Sequence, residues 1–275
     1  LCQLNFHVGN LNKNLEKIIT AREEVKRNGG DLCIFSELSL TGYPPEDLIL
    51  RKSFIASVEN VIKKLIPLSK DGGPAIIVGY PRNDNGKLKN SAALIDNGDI
   101  SIVDKYHLPN YGVFDEARVF DSERFSGPIS FKGIRLGLMI CEDMWFSDVA
   151  ESLQESGAQI LIVINGSPFD QNKEDERISV AVSRVVETKL PLIYVNQIGG
   201  QDELVFDGGS FALDKNSKLC LQSSLWIEEN NLIELDMYNS GLINILNSNI
   251  NKISAGIESK YNAMVLGLRD YVIKN

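Results

Sequence analysis

Histidine is scarce in this sequence: His7 and His107 are the two it has in 275 residues. A metal centre built on several histidines is excluded, and chemistry that needs a histidine base has little material. Cysteine is sparse too. Cys2, Cys33, Cys141 and Cys220 show no C-x-x-C spacing, which argues against a structural zinc site and against a disulfide framework. Free thiols in a reducing compartment follow, with the cytoplasm as the expected setting. Positive charge is in deficit, 28 Lys and Arg against 37 Asp and Glu, for a net charge of -9. No nucleic-acid partner is expected, because a phosphate backbone calls for a basic footprint. No apolar run is long enough to cross a bilayer, and the opening LCQLNFHVGN lacks the pattern of a signal peptide, so no membrane partner is expected either. The sequence also lacks low-complexity tracts and any G-x-x-x-x-G-K-[ST] element for nucleotide phosphates.

What is present is a normal globular balance, 43% hydrophobic and 24% charged residues. Residues 14–27 and 51–66 carry apolar side chains at helical spacing, and Gly29-Gly30 stop the first. DLCIFSE, PAIIVGYP, AQILIVING and PLIYVNQ read as buried strands. NSAALIDNGDISIVDKYHL predicts a hairpin turning at Asn97-Gly98, and ISFKGIRLGLMIC another turning at Lys132-Gly133. Helices are expected over 145–156, 173–189 and 256–273. A hairpin of SFALD and KLCLQ is expected as the last in the chain. LTGYPPEDL and HLPNYGVFDEARVF read as loops, and the segment around GGQDELVFDGGS is glycine-rich. Strand–helix crossovers mixed with hairpins argue for mixed sheets, and strands apolar on both faces argue for a layer on either side. Two sheets face to face with helices outside satisfy both. NSNINK, residues 247–252, is the expected linker to the tail helix.

The stretch GLMICEDMW places Cys141 where an apolar run gives way to polar residues. A free cysteine is commonly a small core hydrophobe. A strand end, however, is a usual place for a reactive group. Glu37 ends DLCIFSE and Lys105 ends ISIVDK, so both are expected at the same kind of position as Cys141. A desolvated carboxylate can take the proton of a thiol, and a lysine can favour the thiolate and donate to an oxyanion. Acyl transfer on a Glu–Lys–Cys set is one reading. A structural Glu37–Lys105 ion pair beside a buried thiol is the other.

Those same segments resemble the nitrilase superfamily of carbon–nitrogen hydrolases: FSELSLTGYPPEDL at Glu37, DKYHLPNYGVFDE at Lys105 and GLMICEDMW at Cys141. The resemblance implies an α/β fold, a four-layer α-β-β-α sandwich with two mixed sheets packed face to face. YPPEDL, LPNYGVFDE and VNQIGGQDELVFDGGSF narrow it to the glutamine-hydrolysing domain of the glutamine-dependent NAD synthetases. It implies Glu37 as general base, Lys105 as stabiliser of the tetrahedral intermediate and Cys141 as nucleophile toward L-glutamine, with the N–H of Glu142 as a second oxyanion donor. Glu116 matches a second carboxylate near the lysine; its alternative is a loop acid paired with Arg118. Tyr111, Glu142, Ser167 and Lys173 match glutamine-binding positions, Trp145 could wall the pocket, and Tyr43 is expected to shape its entrance. The blander readings are a solvated acid for Glu142, a turn cap for Ser167, core for Trp145 and a solvated first helical turn for Lys173.

YNAMVLGLRDYVIKN resembles the start of a synthetase domain. The expected organisation is therefore a glutaminase domain over 1–246, followed by a linker and the start of a C-terminal synthetase domain over 247–275. ATP and Mg²⁺ are expected in that further domain and no cofactor in this chain. The resemblance also implies ammonia transfer through a tunnel and a large homo-oligomer. The alternative that shares the same three residues is a free-standing amidase or N-carbamoyl amidohydrolase.

Overall fold

The computed structural model describes residues 1–122, 124–171, 173–238, 241–246 and 249–274, the side chains of residues 173 and 174 excepted. After a two-residue strand β1 (Cys2–Gln3) comes helix α1 (Leu11–Arg27). The Asn10 side chain caps it by accepting the N–H of Lys13, and Lys26 and Arg27 face its negative end. Strand β2 (Leu32–Ile34) and helix α2 (Lys52–Leu68) follow, then β3 (Ala75–Asp84), β4 (Lys87–Asp96) and β5 (Asp99–Asp104). The second half holds β6 (Ile129–Phe131), β7 (Ile134–Ile140), α3 (Ser147–Glu155), β8 (Ile160–Asn165), α4 (Lys173–Thr188) and β9 (Leu192–Asn196). It continues with β10 (Ile198–Gln201), β11 (Leu204–Asp207), β12 (Phe211–Leu213), β13 (Leu219–Gln222), β14 (Glu229–Asn230), β15 (Leu235–Met237), β16 (Ile243–Ile245), β17 (Asn249–Ile250) and α5 (Ile257–Lys274).

The hairpins close on two-residue turns that demand left-handed backbone at both positions. Asn97-Gly98 and Lys132-Gly133 have φ of 47° and 88°, and 45° and 81°, as the sequence predicts. A third, Asn85-Gly86, joins β3 to β4. Three elements go beyond the sequence reading. The β3–β4 arms run past the apolar stretches because their outer ends are polar and solvent-facing. The glycine-rich stretch folds as the hairpin β10–β11, and SFALD/KLCLQ is followed by a further hairpin, β15–β16. The segment expected as a linker carries β17, which pairs in parallel with β13; residues 247 and 248 lie outside the described residues.

Two mixed sheets result. One has the order β2-β3-β4-β5, with β2 parallel to β3 and the rest antiparallel. The other has the order β17-β13-β12-β9-β8-β7-β6, with β7, β8 and β9 parallel. Side chains alternate along each strand, so each sheet has two apolar faces. Ile34, Ile77, Leu94 and Val103 meet Leu138, Ile140, Ile162 and Val195 between the sheets. On the outer face of the first sheet, Phe35, Ile76, Val78 and Ile95 pack against Ile18, Val25, Val58 and Leu65 of α1 and α2. Met139, Leu161, Val163 and Tyr194 take Val149, Leu153, Ala181 and Val185 of α3 and α4 on the other side. The layers are thus helix, sheet, sheet, helix, the α-β-β-α sandwich expected.

Ile162 sits between the sheets with 1% of its surface exposed. Ile162→Ala should lower unfolding stability by about 2–5 kcal/mol through lost burial and a residual cavity. Denaturant titration measures it, and a loss below ~0.5 kcal/mol would mean that the inter-sheet core is not tightly packed there.

Candidate active site

Three parallel strands of the second sheet, β7, β8 and β9, run to the same edge, and the chain turns there at Cys141, Gly166 and Gln197. Ligand sites in such sheets sit beyond the carboxyl ends of the strands. The first sheet brings two further groups to this edge. Lys105 follows β5 directly, its N–H bonded to the carbonyl of Asn90 on β4 at 2.8 Å. Glu37 is three residues past β2, in a turn rather than at a strand end, because pairing with β3 stops early. Gly79 permits that turn: a Cβ there would lie 2.4 Å from the N of Leu38, so the backbone around Glu37 rests on β3.

The three charged groups form one buried cluster. Lys105 Nζ lies 2.7 Å from Glu37 Oε1, and 2.7 and 2.9 Å from the two oxygens of Glu116. Neither the Lys105 nor the Glu37 side chain is exposed. Glu37 Oε1 also accepts from Asn90 Nδ2 at 2.8 Å, and its Oε2 accepts the Gly166 N–H at 2.9 Å, which ties it to the end of β8. Tyr43 donates to Glu116 Oε1 at 2.9 Å. Tyr43, expected at the entrance, is therefore an inner residue; its phenol holds Glu116 from behind, and a cavity of about 30 Å³ lies beyond it. Arg118, offered in the sequence as a partner for Glu116, instead pairs with Asp47 and Asp115.

Two carboxylates share one ammonium here. Burial favours neutral Lys105, but Glu116, Glu37 and Cys141 outweigh it and hold the ammonium well above its ordinary pKa. Burial likewise lifts Glu116; Lys105 pulls it down, Glu37 pushes it up, and it comes to about 7. The Cys141 thiol is raised well above its ordinary value, by burial first and by Glu37 second, with Lys105 opposing. The resting sulfur is thus a neutral thiol that needs an adjacent base to react.

Cys141 is buried and opens a short 3-10 turn, Cys141–Trp145, with φ of +49°. That conformation is rare for a side chain with a Cβ and is common at functional positions. Asp143 in the same turn holds the arrangement. Its Oδ2 accepts the Ile140 N–H at 3.0 Å, and its Oδ1 accepts the N–H groups of Tyr106 and His107 at 3.0 and 2.8 Å. The segment after Lys105 is thereby fastened to the turn that carries Cys141. Burial lifts Asp143 to about 6 despite those donors.

Tyr111, 56% exposed, donates its hydroxyl toward both oxygens of the buried Glu142, at 2.9 and 3.0 Å. Ser167 is buried beyond the end of β8. Its hydroxyl accepts from Arg177 Nε at 3.1 Å, and its N–H donates to Asn196 at 3.0 Å. Arg177 forms a buried two-pronged pair with Asp207, both contacts at 2.9 Å. Trp145 ends the Cys141 turn half-buried. Lys173 begins α4, and its side chain lies outside the described residues. Sequence reading passed over Asn90, Asp143 and Arg177. The acid two residues after Cys141 was visible, but nothing in the pattern tells a clasp from a solvated side chain. Among the described residues no His, Cys, Asp and Glu side chains group to hold a metal ion, and no helix is long and apolar enough to cross a membrane.

A sandwich of this layering with a thiol, an ammonium and carboxylates at one strand edge is the form of a carbon–nitrogen hydrolase. The family model of that description matches residues 1–242, and the chain belongs to this family. More particularly, it is 38% identical over 277 residues to the glutamine-dependent NAD(+) synthetase of Rhodobacter capsulatus, covering 100% of this chain and 50% of that protein. The solved glutamine-dependent NAD+ synthetase of Acinetobacter baumannii superposes with a TM-score of 0.89 at 32% identity, over 99% of this chain and 51% of that one. An amidase from Nesterenkonia superposes at 0.72 over 81% of this chain and 86% of that one, at 24% identity, a likeness of fold. The chain spans about half the length of the synthetases that it matches.

Glu116 releases its proton near pH 7 in the folded chain and near its ordinary 4.5 in the unfolded one. Between those values the folded state holds more protons, so the stability contributed by this group falls as pH rises. Asp143, about 6 against 3.8, has the same sign. Glu116→Gln should therefore flatten the decline of the urea midpoint between about pH 4.5 and pH 7. An unchanged slope would mean that Glu116 titrates as an ordinary carboxylate.

Proposed function

We propose that this chain hydrolyses L-glutamine to glutamate and ammonia through a thioester on Cys141. The observation that carries the reading is the buried Lys105 ammonium held between Glu37 and Glu116 at the strand edge where Cys141 turns. Similarity to glutamine-dependent NAD synthetases supports glutamine as the amide.

The steps follow from the charges. Glu37 takes the thiol proton as the sulfur attacks the carboxamide carbon. The oxygen that gains charge is stabilised by the Lys105 ammonium and the Glu142 N–H. The C–N bond then breaks, the leaving nitrogen takes the proton from Glu37, and ammonia departs. A water gives a proton to Glu37 and attacks the thioester. The C–S bond breaks, glutamate leaves, and the proton returns to sulfur. Glu116 keeps Lys105 charged and aimed throughout. Tyr111 and Glu142 make the acceptor for the substrate ammonium, Ser167, held by Arg177, serves its amino-acid head, Trp145 walls the pocket, and Lys173 is assigned to the substrate carboxylate.

The ammonia supplies an ATP-dependent amidation of nicotinate adenine dinucleotide to NAD in a synthetase domain, which is where ATP and Mg²⁺ belong. Residues 1–246 then form the glutaminase domain, and 247–275 lead into the next. The outward face of α5 supports this: Ile257, Tyr261, Met264 and Leu268 are all exposed, as expected of a helix that packs on a further layer. Assembly into a homo-oligomer and a cytoplasmic setting complete the reading, the latter in keeping with four free, buried cysteines.

Incubation with diazo-oxonorleucine, an electrophilic glutamine analogue, should add one label, located at Cys141 by peptide mass spectrometry. Cys141→Ala should abolish labelling and glutamate release, while Glu37→Gln should slow labelling by about 10²-fold or more. Labelling that persists at Cys33 or Cys220 in the Cys141→Ala chain would overturn the assignment.

A further inference from the structure

Away from Cys141, a cavity of about 450 Å³ opens where α5 meets the start of the chain. Its wall holds four cations, Lys13, Lys17, Arg269 and Lys274, against two carboxylates, Glu228 and Asp270. In a chain whose net charge is -9, that local excess of positive charge stands out.

Both carboxylates already have donors. Glu228 accepts the Asn5 N–H at 2.7 Å and pairs with Lys17. Asp270 accepts from Asn5 Nδ2 at 2.6 Å, from the Gly200 N–H at 2.8 Å and from Arg269 Nε at 3.2 Å. Lys274 donates to the carbonyls of Phe6 and Gly200 at 3.0 and 2.8 Å. The groups left over are donors. Among the described residues the Lys13 ammonium and the His7 ring have no hydrogen-bond partner, and Arg269 uses Nε while its two terminal nitrogens point to no acceptor. The pKa of His7 is lowered, by burial first and then by Lys274 and Lys13.

Apart from Asn14, the rest of the wall is apolar. Ile227 is 50% exposed beside these charged groups. Trp226 lines the same cavity. Its indole N–H is bonded to Ser254 at 2.9 Å, and its φ of +70° is rare for so bulky a residue. The ring is held further by an edge-to-face contact with Phe169, the centroids 5.1 Å apart. A concave site of this size, with an aromatic wall and a few unpartnered cationic groups, fits a small organic anion rather than a bare ion. A phosphate suits the unpartnered lysine and arginine donors, and a flat ring suits the indole.

We propose that this cavity binds an aromatic organophosphate of mononucleotide size, its ring against Trp226 and its phosphate held by Lys13 and Arg269. This site is separate from the one at Cys141 and does not depend on the reaction proposed there.

Isothermal titration of the 275-residue chain with AMP tests it, with adenosine and inorganic phosphate as the two halves of the ligand. AMP should bind one to one with a sub-millimolar Kd, and each half should bind at least about tenfold more weakly. Lys13→Ala with Arg269→Ala should weaken AMP by about tenfold or more. Both residues lie at the surface, and far-UV circular dichroism checks that the variant is folded. The proposal is overturned if millimolar AMP gives no saturable heat, if the double variant binds it as well, or if phosphate alone binds as tightly. Labelling of Cys141 by the glutamine analogue is read separately, so failure here leaves that assignment standing.

Discussion

A lysine ammonium with no access to water is the constraint on which the rest of this structure depends. Lys105 can stay charged in its position because Glu37 and Glu116 each approach within 2.7 Å. Removing an ion from water costs several kcal/mol, which such contacts offset when hydrogen bonds satisfy the remaining atoms. They do so here: Asn90 and the Gly166 N–H complete Glu37, and Tyr43 completes Glu116. Burial first, and then the negative charge of Glu37, lifts Glu116 to about 7 and keeps the thiol of Cys141 protonated. In the proposed reaction this leaves Glu37 as the base and the neutral thiol as the group it activates.

The sandwich supplies the rigidity that such a cluster needs. Its members come from two sheets, so the inter-sheet core of Ile77, Leu94, Leu138 and Ile162 sets their separation. Close packing transmits small errors, and a displacement of one sheet would pull Lys105 from Cys141. Asp143 limits that displacement by bonding to backbone on both sides, at Ile140 and at Tyr106 and His107. The left-handed backbone at Leu38 and at Cys141 is local strain that this surrounding structure maintains.

The tail helix adds a second organising seam. Gly200 and Gly267 let α5 lie close on β10, where a Cβ on Gly200 would stand 2.9 Å from Gly267. Asp270 and Lys274 then bond to the backbone of the same hairpin. One side of α5 therefore belongs to the sandwich while the other presents exposed apolar residues, and the cavity around Trp226 lies along the same seam.

Much of this protein could be read along the chain. Apolar runs marked the central strands and helical spacing the first two helices, and Asn-Gly and Lys-Gly marked two of the turns, because those signals depend on near neighbours. Cys141, Glu37 and Lys105 were visible as polar groups at the ends of apolar runs. The chain could not show that Asp143 is a clasp, that Asn90 bridges two acids or that Arg177 pairs with Asp207 behind Ser167. Nor could it place Tyr43 inside the site. Each of those roles depends on which backbone groups lie across a gap between sheets or turns, and sequence spacing carries no record of that distance. Local propensity determined the elements. Their stacking decided which side chains share one dry space, and with it the charge that each of them holds.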